Sequence, residues 1–335
     1  MRFSAAALAT TVGGTLAGPD VPVDGVATDT RELRRGQLFV PLVDRRDGHQ
    51  FLAAAVAAGA PAYLTTGPTV PGATAVQVAD TAVALLSIGR AARDRLGDRV
   101  VGVTGSVGKT TVKDLVAGAL ATTFVTAGSP LSFNNEIGVP LTLANAEEGT
   151  EATVVEMGAR GEGHIRALCL IARPTVGIVT RVGLAHTEQL GDLKGVAAAK
   201  AELVESLPRH GTAVLNADDP LVLAMGGRTS AAVRTFGLDA DADVRATDVA
   251  LDDLARPSFR LVSPEGSAPV RLGLHGPHQV PNALAAAAAA LVAGVPVAAV
   301  AGGLEGVGPP RWRMSVLATR SGATVVNDAY NANPT

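Results

Sequence analysis

The stretch VVGVTGSVGKTTVKDLV, residues 100–116, constrains this chain more than any other. An apolar strand runs into a glycine turn, then a lysine, two threonines and a helix. Such a turn aims backbone N–H groups and a helix N-terminus at one point, which is a site for an anion. Lys109 is placed to reach phosphate oxygens, and the Thr110 hydroxyl is placed to ligate Mg²⁺. The loop residues are Gly105, Ser106, Val107, Gly108, Lys109, Thr110 and Thr111. The match to the general phosphate-loop pattern is incomplete. That pattern wants glycine where Val103 stands, and the first glycine here is Gly105. Val112, Leu115, Val116 and Ala119 make one apolar stripe, as a helix after the loop requires.

Around this loop the chain alternates apolar strands and helices: ATVVEMG, TVGIVTRVG followed by GVAAAKAELVESL, then GTAVLNADD. That alternation predicts a mostly parallel sheet with helices on both faces. Residues before it (GVATDTREL, GQLFVPLV, APAYLTT and the helix FLAAAVAAGA) predict a smaller N-terminal α/β domain. The boundary is expected near 82–98. Ser4 is expected to cap a first helix stopped by Gly13-Gly14. Residues 240–275 read as a polar, more antiparallel insert, and NALAAAAAALVAG as a helix.

Composition narrows the class. A length of 335 residues favours two domains over one. With aromatics at 3%, small aliphatic residues must fill the core. A net charge of −3 offers no basic footprint for nucleic acid. No apolar run reaches the ~18 residues of a membrane span. The single cysteine, Cys169, forms no disulfide within the chain, and a cytoplasmic protein is expected. Twenty-four of the 28 basic residues are arginine; the four lysines are Lys109, Lys113, Lys194 and Lys200. Each lysine kept in such a chain poses a question.

Further polar groups sit at strand ends, where open α/β sheets bind ligands. Glu156 ends ATVVEM and is a candidate metal ligand or, alternatively, a cap. His186 follows TVGIVTRVGLA and is a second candidate ligand. Lys200 lies among alanines and by itself reads as a solvated helix lysine. Asn134 and Asn135, in LSFNNEIGVP, form a polar loop or a turn.

Taken in order, TGSVGKTT, SFNNEIGVPLTL, VVEMGARGEGHI, GLAHTEQLG, AAAKAELVESL, HGPHQVPNALAAA and VVNDAYNANP resemble the Mur ligase family from about residue 2 to 335. NNEIGVPLTL with NDAYNANP resembles the branch that joins D-Ala-D-Ala to UDP-N-acetylmuramoyl-tripeptide. The resemblance implies an ATP-dependent ligase of peptidoglycan precursor synthesis that uses Mg²⁺ and an acyl phosphate, acting as a monomer without nucleic acid or membrane insertion. It implies that Glu156 and His186 serve the metals. It implies that Lys200 is carbamylated and helps hold a second Mg²⁺. It implies that Asn282, Arg313 and Asp328 contact the nucleotide. Thr28, Asp29, Thr30 and Arg31 resemble the loop for the UDP part, with Asn134 and Asn135 holding the sugar nucleotide. The implied domains are 1–82 for the UDP sugar, 83–313 for ATP, and 314–335 as the start of a third domain. Two positions depart from the family. Gln279 follows His278 where asparagine is usual, and Arg181 stands where asparagine is frequent. The chain stops inside the motif NANPT and is expected to be the first two domains of a longer ligase, with a shortened paralogue as the alternative. Competing functions are another ligase of the superfamily (diamino-acid-adding or folylpolyglutamate synthase-like) and a nucleotide-binding module without turnover. A GTPase is disfavoured, since no N-K-x-D segment is present.

Overall fold

The computed structural model describes residues 1–183, 192–239, 241–310, 312–319 and 322–330. Two compact units emerge: Met1–Leu96 with Asn135–Thr150, and Gly97–Asn134 with Glu151–Thr335.

The first unit carries a five-stranded sheet in the order 15–17, 74–77, 62–65, 38–39, 26–27. The first pair is antiparallel and the rest are parallel. The helix Ala5–Thr11 begins where expected, with the Ser4 side chain accepting from Ala7 N. Phe39, Leu52 and Tyr63 form a buried core under the sheet, and Tyr63 Oη accepts from Val70 N at 2.6 Å. The chain crosses from the first unit to the second between Leu96 and Gly97, within the stretch 82–98 read as the boundary, and the helix Thr81–Arg93 belongs to the first unit. That helix buries Ala84, Leu85, Ile88 and Ala92 and packs against the helix Gly138–Ala144. Apolar burial therefore draws both helices into the first unit, which a division by chain position does not anticipate.

The second unit is built on a nine-stranded sheet, among the described residues, in the order 266–271, 257–263, 244–251, 232–237, 212–216, 176–179, 99–104, 152–156, 126–128. Strands from 126–128 through 244–251 pair in parallel, and the expected insert supplies the antiparallel edge. Successive residues face opposite sides. Ile178 and Val214 pack in one core with the helices Lys109–Ala121, Gln279–Val292 and Val297–Glu305. Val179, Ala213 and Leu215 pack in another with the helix Leu193–Glu205. The run Ala285–Ala290 is fully buried, so the small residues that dominate the composition let the helix lie close to its neighbours. Strand 99–104 lies between 152–156 and 176–179, with Glu156 paired to Val103 and Val179 to Thr104. Three strand ends thus converge where the glycine loop leaves the sheet. A separate hairpin pairs 315–318 with 324–327. Among the described residues no helix is long and apolar enough to cross a membrane.

Candidate active site

The loop after strand 99–104 is shaped by two glycines. Gly105 has φ +149°, and a Cβ there would lie 1.9 Å from Thr180 Oγ1. Gly108 has φ +82°, and a Cβ there would lie 2.6 Å from Asn282 Oδ1. Only a residue without a side chain fits either position comfortably. Gly108 precedes the helix Lys109–Ala121 and offers no side-chain cap, so the first amides of that helix keep their anion-binding capacity.

The neighbouring strand end braces the loop. Ser106 N donates to Arg181 O at 2.7 Å, and Thr180 Oγ1 donates to Val107 O at 2.6 Å. Gly183 N donates to Ser106 Oγ at 2.9 Å. Asp219 holds that strand end in turn by accepting Val182 N at 2.9 Å.

Lys109 curls over the loop, with Nζ donating to Gly105 O at 2.8 Å and to Ser106 O at 3.4 Å. Burial pushes its ammonium below the usual lysine value, against the opposing pull of Glu156. One residue on, Thr110 Oγ1 donates to Glu156 Oε2 at 2.9 Å. Asn134 Nδ2 donates to the other oxygen, Oε1, at 2.9 Å. Glu156 is 1% exposed, so it is not a solvated end, and its two oxygens take the side chains of Thr110 and Asn134 and not the amides of a helix start. A hydroxyl and a carboxylate side by side are hard oxygen donors that suit Mg²⁺. Among the described residues no group of three His, Cys, Asp or Glu forms a metal cage. Mg²⁺ commonly binds through one or two protein groups plus phosphate oxygens and water, and the pair fits that habit.

Beside this cluster lies a cleft of about 470 Å³. Val107, Gly108, Thr111, Asn282, Arg313 and Asp328 line it, as do Arg181, His278 and Gln279. Gln279 fastens two of its neighbours: Asn282 Nδ2 donates to its Oε1 at 2.9 Å, and its Nε2 lies 3.0 Å from His278 Nε2. Burial lowers the His278 pKa, with Asp328 opposing. Arg313 stacks over the Tyr330 ring at 4.0 Å, and Asp328 Oδ1 accepts Met314 N at 3.1 Å. Thr180, Asn216 and Phe236 also line the cleft. Sequence reasoning missed these three, although Asn216 ends strand 212–216 and that position was a usable signal.

Lys200 is 3% exposed, not solvated. Burial first, and the charge of Lys109 second, lower its pKa to about 7. His186 lies outside the described residues. Thr28, Asp29, Thr30 and Arg31 stand together in the first unit, half-buried apart from the exposed Arg31. Arg31 Nε donates to Asp29 Oδ1 at 3.0 Å, and this guanidinium holds the Asp29 carboxyl below its usual range. Asn135 also belongs to the first unit, where its Oδ1 accepts from Ile137 N at 3.2 Å and Gly138 N at 2.8 Å, fastening a helix start.

A glycine cradle, a half-buried lysine, a threonine–glutamate pair and a polar cleft at converging strand ends define a nucleotide-dependent phosphoryl-transfer protein of the α/β class. The pattern of the Mur ligase middle domain matches residues 103–290. A Mycobacterium bovis protein named UDP-N-acetylmuramoyl-tripeptide--D-alanyl-D-alanine ligase is 41% identical, over all of this chain and 72% of that relative. The structure of MurF from Acinetobacter baumannii superposes with TM-score 0.89 at 30% identity, covering 100% of this chain and 74% of that one. The MurF ligase from Thermotoga maritima in complex with ADP superposes with TM-score 0.79 at 28% identity, covering 93% and 72%. The chain belongs to the Mur ligase family.

Proposed function

We propose that this chain serves the reaction for which its relatives are named, the ATP-driven joining of D-Ala-D-Ala to UDP-N-acetylmuramoyl-tripeptide in peptidoglycan precursor synthesis. The observation that carries the reading is the Thr110–Glu156–Asn134 cluster beside Lys109 at the mouth of the glycine loop. A carboxylate is a poor electrophile, and amide formation from it in water is uphill. Transfer of the γ-phosphoryl group to the peptide carboxylate gives an acyl phosphate that the amine of D-Ala-D-Ala attacks, releasing phosphate. Such transfer needs positioning and neutralised charge more than covalent help from the protein.

The chain's own groups divide that work. The loop amides and Lys109 hold the β- and γ-phosphates, and the nucleoside lies in the cleft lined by His278, Gln279, Asn282, Arg313 and Asp328. Thr110 and Glu156 would hold Mg²⁺, which supplies charge neutralisation across the transferring group. Lys200, with a pKa near 7, presents a substantial fraction of neutral amine at physiological pH. A neutral amine is the form that captures CO₂, so a carbamate at Lys200 would add an oxygen ligand for a second Mg²⁺. Its buried position supports this role better than a surface one. Thr28, Asp29, Thr30 and Arg31 receive the UDP part; the exposed Arg31 side chain suits a diphosphate. Asn134 and Asn135 would hold the sugar nucleotide.

The test is product analysis. With ATP, Mg²⁺, UDP-muramoyl-tripeptide and D-Ala-D-Ala, mass spectrometry should find the pentapeptide product with ADP released in equal amount. Product only with UDP-muramoyl-dipeptide and a diamino acid would place the chain on another branch. Nucleotide binding without ADP release would make it a binding module.

A further inference from the structure

Lys113 is a kept lysine for which the proposed reaction finds no use. Its side chain is 5% exposed. Nζ donates to Ser129 O at 2.7 Å and to Leu131 O at 3.2 Å, and lies 2.5 Å from Asp114 Oδ1. Three acceptors therefore converge on one ammonium. Lys113 is three residues beyond Thr110 on the helix Lys109–Ala121, hence on the same face.

The segment that Lys113 grips is the one that holds Glu156. Ser129 Oγ accepts Glu156 N at 3.2 Å. Asn134 Nδ2 donates to Glu156 Oε1 at 2.9 Å, and Asn134 O accepts Gly158 N at 2.8 Å. Residues 129–134 are neither strand nor helix. Leu131 has φ +47° and is 69% exposed, so neither backbone preference nor burial holds that turn. Other fastenings include Ser129 N to Val154 O at 2.9 Å, Phe133 N to Pro130 O at 3.1 Å and the Ser132–Tyr330 hydroxyl contact at 2.5 Å.

We propose that Lys113 is a positioning residue, clamping segment 129–134 so that Ser129 and Asn134 fix Glu156 beside Thr110. Lysine suits the task because its three donors radiate from one atom toward three acceptors in a small buried space. The guanidinium of arginine spreads its donors over a plane and needs more room. This explains a lysine kept where the chain otherwise uses arginine. The link to metal binding rests on the proposed role of Glu156; the clamp itself does not.

Amide hydrogen exchange by NMR separates the two. Glu156 N and Gly158 N bond to the clamped segment, while Met157 N, between them, bonds to Val103 O at 2.8 Å in the sheet. In Lys113→Met, exchange at Glu156 and Gly158 should rise roughly tenfold, as expected when bonds to a charged donor are lost nearby, with Met157 unchanged. A general structural role would speed all three together; that outcome, or no change at any of them, overturns the proposal. Where Lys113→Met fails to fold, Lys113→Arg decides. It keeps the charge and should still show fast exchange at Glu156 and Gly158, and parent-like protection there overturns the proposal. The Mg²⁺ concentration for half-maximal ADP binding should rise roughly tenfold in Lys113→Met, and adding Asn134→Ala should raise it little further, since both act by fixing the one Glu156 carboxylate. Multiplying effects overturn the proposal. A parent whose ADP binding ignores Mg²⁺ removes the metal role of Glu156, and the exchange pattern then still decides the clamp.

Discussion

The hydroxyl of Thr110 and the carboxylate of Glu156 meet at 2.9 Å, joining the first turn of one helix to the end of a strand 46 residues later. Nothing but an acceptor role is left to that carboxylate, which also takes Asn134 Nδ2. Glu156→Gln keeps the size and removes the charge. It should weaken Mg-ADP binding roughly tenfold or more, on the scale of a lost charged contact, and leave ADP binding in EDTA near the parental value. Calorimetry with and without Mg²⁺ checks this. An equal loss in both conditions would mean that Glu156 shapes the loop and does not serve the metal.

Lys109→Ala should remove measurable Mg-ATP binding. The side chain now bonds the carbonyls of Gly105 and Ser106, so its ammonium already sits at the cradle's mouth. Its pKa is lowered by burial, and an arriving phosphate would offset the cost of that burial by pairing with the charge. Parental affinity in the variant refutes the assignment.

Lys200 makes a pH prediction with a definite sign. Its ordinary value is 10.5 and its folded value is about 7. Between those values the unfolded chain holds a proton that the folded chain lacks, so stability rises with pH through this window. Below pH 7 the burial penalty is fully present. Lys200→Met should therefore gain stability over the parent most at pH 6, and the gain should shrink toward pH 10. Urea unfolding in bicarbonate-free buffer measures it, and a gain independent of pH refutes it. With ¹³C-bicarbonate near pH 8, the parent should show a carbamate resonance that Lys200→Arg lacks.

Local features of this molecule were legible in the sequence, and meetings between distant segments were not. Gly105, Gly108, Lys109 and Thr110 lie in one loop, so their cooperation shows in the string. The stripe of Val112, Leu115, Val116 and Ala119 is buried as its spacing requires. The bond from Asn134 to Glu156 depends on which strands lie side by side, and spacing does not encode that. Lys200 looked solvated because its alanine neighbours are neutral about which helix face is covered. The helix Gly138–Ala144 joins the first unit because its apolar side chains find a partner there in Thr81–Arg93, a choice made by packing. Phe236 and Asn216 reach the cleft from strands that carry no motif.

Glu202 offers a stability test away from the cleft. The helix His164–Ala172 starts after Gly163, which has φ +80° and no capping side chain. Glu202, from the helix Leu193–Glu205, supplies the cap: Oε1 accepts Gly163 N at 2.5 Å and Oε2 accepts Arg166 N at 3.0 Å. A buried carboxylate at a helix N-terminus also meets the positive end of the helix dipole. Glu202→Ala should cost about 2 kcal/mol in urea unfolding, the upper range for a lost cap, with little change in nucleotide affinity. A loss within about 0.5 kcal/mol, as at an ordinary surface site, would show that water replaces the cap.

The last prediction concerns Gln279, which stands where the resemblance leads one to expect asparagine. Gln279 is 6% exposed and uses both ends of its amide: Oε1 accepts Asn282 Nδ2, and Nε2 faces His278 Nε2. Asn282 Oδ1 in turn stands against the Gly108 position. Gln279 thus ties the cleft's histidine and asparagine to one helix start and holds both beside the phosphate loop. Asparagine is one methylene shorter and cannot span both partners from the same backbone position. Gln279→Asn should therefore loosen His278 or Asn282, lowering ADP affinity roughly three- to tenfold, the worth of one neutral hydrogen bond in a partly buried site. The His278 ring is the reporter. Burial now lowers its pKa, so a loosened, better-hydrated ring should titrate at higher pH in Gln279→Asn than in the parent. NMR of the histidine C–H protons follows this without any ligand. A raised His278 pKa with weaker ADP binding supports the tie. Weaker ADP binding with the His278 titration unchanged would mean that Gln279 meets the nucleotide directly, and unchanged ADP binding would mean that it only packs the helix start.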